Sequence, residues 1–413
     1  MHVTGIVAEY NPFHNGHLYQ LNQSKLRTNS DFVVAIMSGD FSQRGVPCIA
    51  NKFIRTQMAL LSGIDMVLEL PVPFASASAE RFSEAAVSAL SKTGIINTLS
   101  FGSEIGDISL LQKIANSLVS ESPFLSQLLQ DYLSKGYSFP RARENAIIDL
   151  FSASDPHSIH VDSIKETIGN PNNILGIEYL KALIKYDSKI LPLTIKREGS
   201  NYHDTCINDS IASATAIREQ LKACEHELIK QCMPYKCYNL LLNHTNGIPS
   251  IDDLNDFLHY KLIFSNKSDL YALWDIPKNL IESIYNCFTE NMHISEIINR
   301  VTSKTYTRAT VQRALFRIIL GLLQEDMDKL SAIEWIPYIR VLGCKKNSTI
   351  LLSEMTKRAQ VPIITNFKPS HLNFSPEAHL LSAYQLRASN IYQHITKSSK
   401  SYNQDFKHAF IKL

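Results

Sequence analysis

Val3-Thr-Gly-Ile-Val-Ala-Glu9 is a short apolar run with strand character, and Tyr10-Asn-Pro-Phe-His14-Asn-Gly-His17 follows it at once. Leu18 then opens a helical stretch. A strand that ends in a tight Asn-Pro turn, with His-x-Gly-His at the mouth of a helix, suits a phosphate-bearing ligand. The helix N-terminus offers backbone N–H groups and the positive end of the macrodipole. Two imidazoles three residues apart share one side of the turn and add donors. Gly16 allows close backbone approach. Two plainer readings of the pair are metal ligation and ordinary helix capping. No third His, Cys or Asp follows on the same helix to complete a metal set. The strand, turn, glycine and helix agree with one another, which favours the phosphate reading over capping alone.

Outward from this turn, the first half of the chain alternates. Phe32–Met37, Met66–Leu70 and Ile96–Phe101 read as strands, the second stopped by Pro71 and the third closed by Gly102. Asn51–Ser62 and Ala79–Leu90 read as helices. Continuous apolar strands alternating with helices predict an α/β fold, a Rossmann-like parallel sheet covered on both faces. Its ligand belongs at the carboxyl ends of the strands. His14 and His17, Ser38-Gly39 and Gly102-Ser103 all follow strand ends. Residues 107–151 read as inserted helices, Asn172–Ile184 as a helix, Leu191–Lys196 as a strand and Ser213–Cys224 as a helix. From about 225 the alternation is lost, and helices are expected at 226–243, 251–264, 278–289, 293–301 and 307–323. The stretch 331–413 is mixed, with a strand expected at Val361–Thr365 and a polar, mobile tail. The expected organisation is a nucleotide-binding catalytic domain over 1–225 and a mainly helical, basic region over 226–413.

The bulk numbers bound the function classes. The chain has 413 residues, 45% hydrophobic and 19% charged, an ordinary globular composition. No apolar run approaches the roughly 20 residues of a membrane span. No basic segment precedes the first strand, so neither a signal peptide nor a membrane role is expected. The seven cysteines (Cys48, Cys206, Cys224, Cys232, Cys237, Cys287 and Cys344) are scattered, odd in number and without a C-x-x-C. That pattern suits free thiols in a reducing cytoplasm. The overall charge of +2 hides a split: residues 301–413 carry 16 Lys+Arg against 7 Asp+Glu. The basic part is expected to meet a polyanion, unless it is only a soluble surface.

Four further elements carry chemistry. Ser38-Gly-Asp-Phe-Ser-Gln43-Arg44-Gly45, followed by Lys52 and Arg55, is a glycine-bounded loop at a strand end. Gln43 and Arg44 are candidates for holding a small carboxylate, since a guanidinium fork matches it; the alternative is a surface turn. Phe101-Gly102-Ser103-Glu104 permits close approach of backbone to ligand. In Pro171-Asn172-Asn173-Ile-Leu-Gly176 the asparagines are either caps or readers of an adenine edge or ribose. Lys196-Arg197-Glu198, then Tyr202-His203-Asp204, lead to Ile211-Ala-Ser213-Ala-Thr215-Ala-Ile217-Arg218, a second phosphate-binding helix start.

His14-Asn-Gly-His17 together with Ser213-Ala-Thr215-Ala-Ile217-Arg218 resembles the signature pair of the HIGH-type nucleotidyltransferase superfamily. More closely, the chain resembles the bacterial tRNA(Met) cytidine acetate ligases. The matching pieces are Val7–His17, Ser38-Gly-x-Phe-x-Gln-Arg-Gly45, Leu68-Glu-Leu-Pro71, Phe101–Glu104, Pro171–Gly176, Tyr202-His-Asp204 and Pro337-Tyr-Ile-Arg-Val-Leu-Gly343. The resemblance implies activation of acetate by ATP to acetyl-adenylate, and acetyl transfer to N4 of the wobble cytidine of elongator tRNA(Met). It maps ATP contacts onto Val7, Ala8, Glu9, Tyr10, Asn11, Pro12, Phe13, His14, Asn15, Gly16, His17, Leu18, Tyr19 and Gln20. Gly102, Arg197 and one of Asn172 and Asn173 join them, with Ser213, Thr215 and Arg218 on the phosphates. Ala214 stands where superfamily members often have Ser.

Adenylate formation is an in-line displacement at the α-phosphorus, so the protein positions two anions and offsets their repulsion. His14, His17, Arg197, Arg218 and two helix N-termini are expected to supply the cations and N–H groups. Mg²⁺ is expected on the phosphates, with no dedicated carboxylate cage visible. For the RNA, Lys304, Arg308, Arg313, Arg317, Lys345 and Lys346 are the candidate contacts, with Lys357-Arg358 adding charge. Arg313 and Arg317 lie four apart on one helix face; the alternative is a solvated face. Two rivals remain: an adenylyltransferase acting on a small phosphorylated acceptor, and a nucleotide-sensing RNA-binding protein without catalysis. The sequence leaves oligomeric state open.

Overall fold

The computed structural model describes residues 1–120, 122–154, 161–197, 212–244, 247–368, 375–397 and 402–413. Its centre is one sheet. Strands β1 (Val3–Ala8), β2 (Phe32–Ser38), β3 (Met66–Leu70), β4 (Thr98–Ser103) and β5 (Leu191–Lys196) run parallel in the order β5-β4-β1-β2-β3. Val33, Val34, Ala35, Ile36 and Met37 of β2 are all buried, as a strand covered on both faces requires. Helices α1 (Asn15–Thr28), α2 (Lys52–Leu61) and the one at Ala79–Lys92 make the crossovers. α1 is tied to β4 by the Ser24 and Ser100 hydroxyls, 2.7 Å apart.

The fourth strand sits two residues later than expected. Asn97 turns its side-chain oxygen onto the Val3 N–H at 2.8 Å, so Ile95 and Ile96 pack as a buried loop. The ladder then continues through Gly102, which pairs with Ile195, and Ser103, which pairs with Lys196. The region expected as inserted helices holds Ile108–Val119, Pro123–Ser134 and Phe139–Ser154, and Val161–Gly169 and Pro171–Lys185 follow.

The largest departure lies beyond residue 331. β6 (Ile339–Cys344) joins the same sheet antiparallel to β3, and β7 (Ile363–Ile364) pairs with β6. β7 is two residues of the five expected as strand. The tail expected to be mobile ends in β8 (Ile411–Lys412), paired with Gly343 and Cys344. The edge of the sheet therefore does not coincide with a boundary at 225/226.

A buried charge network explains the joint. Lys52 Nζ lies 2.8 Å from Glu69 and 2.7 Å from Asp405, and Arg340 lies 2.8 Å from Glu69 and 2.6 Å from Asp405. All four side chains are buried. Burial opposes ionisation of Asp405, but Arg340 and Lys52 hold its carboxyl well below the usual range. Helices fill the region between residues 226 and 331, among them Lys278–Thr289, Ile294–Val301 and Arg308–Leu320. No helix among the described residues is long and apolar enough to cross a membrane.

Candidate active site

The carboxyl ends of β1 and β4 meet at one cleft, lined by His14, Gly16, His17, Tyr19, Gln20, Gly102, Ile195, Lys196, Arg197 and Ala212. The turn that builds it is tightly held. Tyr10 is buried in the left-handed region at φ 48°, and Asn11-Pro12 is cis. Asn11 Oδ1 accepts from Ile49 N–H at 2.8 Å. The buried Arg55 donates to the carbonyls of Glu9 at 2.6 Å, Ser38 at 3.1 Å and Ala50 at 2.9 Å. It thus clamps the loop after β1 to the loop after β2.

The two histidines form a reciprocal cap on α1. His14 Nδ1 accepts from Gly16 N–H at 3.1 Å, and His17 Nδ1 accepts from His14 N–H at 3.3 Å. An Nδ1 that accepts must be unprotonated, so the ring proton of each neutral imidazole sits on Nε2. The rings lie 3.8 Å apart, and Tyr10 and Phe13 pack against His17. Burial first, then Arg197 and Arg218, pushes the His14 pKa down to about 3. Burial, His14 and Arg197 push that of His17 well down too.

The imidazoles are neutral N–H donors at pH 7, so the positive charge comes from the arginines. Capping engages Nδ1 of both rings. The N–H of Gly16 is already taken by His14, and the ring N–H replaces it as the group available to a ligand.

The second motif closes on the first. Ser213 Oγ caps the helix Ala214–Lys222 by accepting from Ala216 N–H at 3.0 Å. Arg218 donates to the Asn11 carbonyl at 2.7 Å and to Thr215 Oγ1 at 3.0 Å. Residues two hundred apart in sequence are thus joined at the turn. Asn15 Nδ2 donates to the Gln231 carbonyl at 2.8 Å, fastening the turn to the next helix as well. Val7 and Ala8 end β1, and Leu18 packs in the core under α1.

Glu104 was quoted from sequence without a role, and the structure supplies one. Its carboxylate accepts from the N–H of Asn172 at 3.3 Å and of Asn173 at 2.9 Å, and from Asn172 Nδ2 at 2.6 Å. It plugs the start of the helix Pro171–Lys185. Asn173 Oδ1 accepts from the N–H groups of Glu104 and Ile105, while its buried Nδ2 has no hydrogen-bond partner among the described residues. An orphan buried donor calls for an acceptor; Asn172 has no such need. A carboxylate directly after the last strand residue, two positions beyond Gly102, is the signal that could have found Glu104.

Other candidates lie apart. Gln43 N–H donates to Glu9 Oε1 at 2.6 Å, and neither Gln43 nor Arg44 lines the cleft. Arg317 is buried, 4.7 Å over the Trp274 ring and 2.8 Å from Asp275, so its charge is spent inside the protein. Arg308 and Lys304 are exposed, and Arg313 is half-buried. Lys345 lies 3.6 Å from Asp65, with the exposed Lys346 beside it. Because β6 is antiparallel, Arg340 pairs with Glu69 near the carboxyl end of β3 and Cys344 with Met66 at its start. Lys345 and Lys346 therefore stand at the far end of the sheet, roughly 16 Å from Arg340 at about 3.3 Å per residue. They do not share a surface with the cleft. Glu198, Tyr202-His203-Asp204 and Ile211 lie outside the described residues. Among the described residues no group of three His, Cys, Asp or Glu gathers to hold a metal ion.

Comparison with known proteins agrees with this geometry. The model of the HIGH Nucleotidyl Transferase family matches residues 1–407. The tRNA(Met) cytidine acetate ligase of Clostridium novyi is 37% identical over 412 residues, 98% of each chain. That of Caldicellulosiruptor saccharolyticus is 39% identical, again over 98% of each chain. Thermotoga maritima TmcAL in its apo crystal form is 31% identical, with full coverage of both chains and a TM-score of 0.93. The same protein bound with alpha-thio ATP superimposes with a TM-score of 0.91. This chain belongs to the HIGH nucleotidyl transferases and, within them, to the tRNA(Met) cytidine acetate ligase family.

Proposed function

We propose that the chain is an ATP-dependent ligase that activates acetate and acetylates N4 of the wobble cytidine of elongator tRNA(Met), in the cytoplasm. The observation that carries the reading is the closure of Arg218 onto the Asn11 carbonyl, beside two Nε2–H imidazoles and Arg197. An acetate oxygen attacks the α-phosphorus of ATP, and the bond to the pyrophosphate oxygen breaks. Charge grows on the leaving pyrophosphate, where neutral N–H donors and two guanidiniums stabilise it without rearranging. The cytidine N4 then attacks the acetyl carbonyl carbon; AMP leaves and the amine loses one proton.

ATP occupies the cleft, with Gly102 leaving room for the Arg197 side chain, which passes 3.4 Å from where a Cβ would stand. Asn173, through its orphan Nδ2, is the asparagine that meets the nucleotide. Mg²⁺ on the ATP phosphates belongs to the same reading, and no step is assigned to it.

The rival with a small phosphorylated acceptor is separated by ATP–pyrophosphate exchange. Exchange that depends on acetate, and not on phosphorylated acceptors, is the expected result. Exchange driven by a phosphorylated acceptor would overturn the reading. Mass analysis for N4-acetylcytidine in tRNA incubated with enzyme, ATP and acetate tests the second step.

A further inference from the structure

We propose that Arg44 and Arg313 form one phosphate-binding surface for the acceptor RNA, at the rim of the nucleotide end of the sheet. The inference rests on the acetyl-transfer reading only in taking RNA as the polyanion. Arg44 lies on the loop that leaves the carboxyl end of β2, the same end at which the His14–His17 turn leaves β1. That loop is seated on the helix Arg308–Leu320. Phe41 and Phe316 rings are 4.3 Å apart. Gly45 takes φ +71°, and a Cβ there would stand 2.9 Å from Phe316 Cβ and 3.4 Å from the Gln312 carbonyl. The glycine is required both by its backbone and by this contact.

The seating brings the chain at Arg44 beside the helix turn that carries Arg313, one residue from Gln312. Arg313 folds back toward the start of its helix, with Nη2 3.4 Å from Thr310 Oγ1. It therefore adds its charge to the positive end of a 13-residue helix. Burial, then the charge of Arg317, then Asp275 acting in the opposite sense, and then Arg44 set the Arg313 pKa, which is pushed down to about 10. Asp275, the acidic group in this set, is bonded to Arg317 at 2.8 Å. A phosphate held between two guanidiniums accepts charge-assisted hydrogen bonds from both.

The surface belongs to RNA rather than to acetate or ATP because neither arginine lines the cleft. Arg44 follows the same end of the sheet as the His14–His17 turn, so the two face a common rim. Exposed Arg308 and Lys304 extend the same helix start outward.

The test measures binding of an unmodified tRNA(Met) transcript by fluorescence anisotropy between 50 and 200 mM salt. It compares wild type with Arg44→Ala, Arg313→Ala, the double variant and the two Lys variants. One phosphate contact contributes a slope of about 0.7–0.9 in log–log salt plots, which is roughly five- to eightfold in affinity at 0.1 M. Each Ala variant should lose about that much and flatten the slope by about one; the double variant should flatten it by about two. Lysine, which keeps the charge, should restore the slope. Unchanged slopes in folded variants overturn the proposal. A raised acetate KM or ATP KM in exchange, with tRNA affinity intact, moves the arginines to the other substrates and overturns it too. If wild type shows no acetate-dependent exchange, the functional reading fails, while the salt slopes still decide the RNA surface.

Discussion

Replacing His14 with asparagine separates two jobs that one side chain holds. Its Nδ1 caps α1 at Gly16 N–H, 3.1 Å away, and its Nε2–H is a donor at the cleft. Asparagine is among the best N-cap residues, so His14→Asn keeps the first job and stability should change by only a few tenths of a kcal/mol. It cannot place an N–H where Nε2 stood. Loss of one such donor to developing charge costs about 2.7–4 kcal/mol, or a factor of roughly 10²–10³ in rate. His14→Ala should lose the same activity and in addition about 1 kcal/mol of stability through the bare cap. The assay is acetate-dependent ATP–pyrophosphate exchange, read beside urea unfolding of the same preparations. Wild-type exchange in a folded His14→Asn protein would refute the donor role. Recovery of activity in His14→Asn relative to His14→Ala would show that only the cap matters.

The buried polar groups carry three more predictions. Asn173→Ala should raise the ATP KM about tenfold, since it removes a hydrogen bond worth roughly 0.5–1.5 kcal/mol and exposes two backbone donors. Asn172→Ala, which removes a donor to Glu104, should raise it less than twofold; equal effects would contradict the assignment. Asp405→Asn removes one partner of a buried network and should lower the unfolding free energy by about 3–5 kcal/mol. The folded Asp405 carboxyl titrates below its unfolded value, so its contribution is complete above pH ~4 and is lost as pH falls through the folded value. His14 acts in the same direction. The unfolded chain takes its proton near pH ~6.5 and the folded one only near pH about 3, so stability falls between them. The acid limb of urea unfolding should therefore be shallower in both Asp405→Asn and His14→Asn, and an unchanged limb in either would count against that group.

The readable part of the fold was the part with strong local pattern. Alternating apolar strands and capped helices in residues 3–103 follow from side-chain periodicity, which is a property of neighbours in sequence. β6 and β8 carried no such signal, since they are an added edge whose place depends on β3 and on Lys52 and Arg340 sharing Glu69 and Asp405. Position 98 rather than 96 for β4 was set by its neighbour strands and by Asn97, again a tertiary matter.

The site divided in the same way. His14, His17, Ser213, Thr215 and Arg218 could be singled out because glycine and helix starts punctuate the sequence around them. Their protonation could not be read, since it depends on burial and on Arg197 and Arg218. Nor could spacing tell that Arg317 is buried over Trp274 while Arg313, four residues earlier, stays half-exposed. The sequence by itself determined that a histidine-bearing turn opens an α/β sheet. Only the tertiary structure decided that its histidines are neutral donors, that the arginines carry the charge, and that the chain's end belongs to the same sheet. The physical reason is that periodicity and capping act over a few residues, whereas desolvation and charge pairing act over a few ångströms, whatever the distance along the chain.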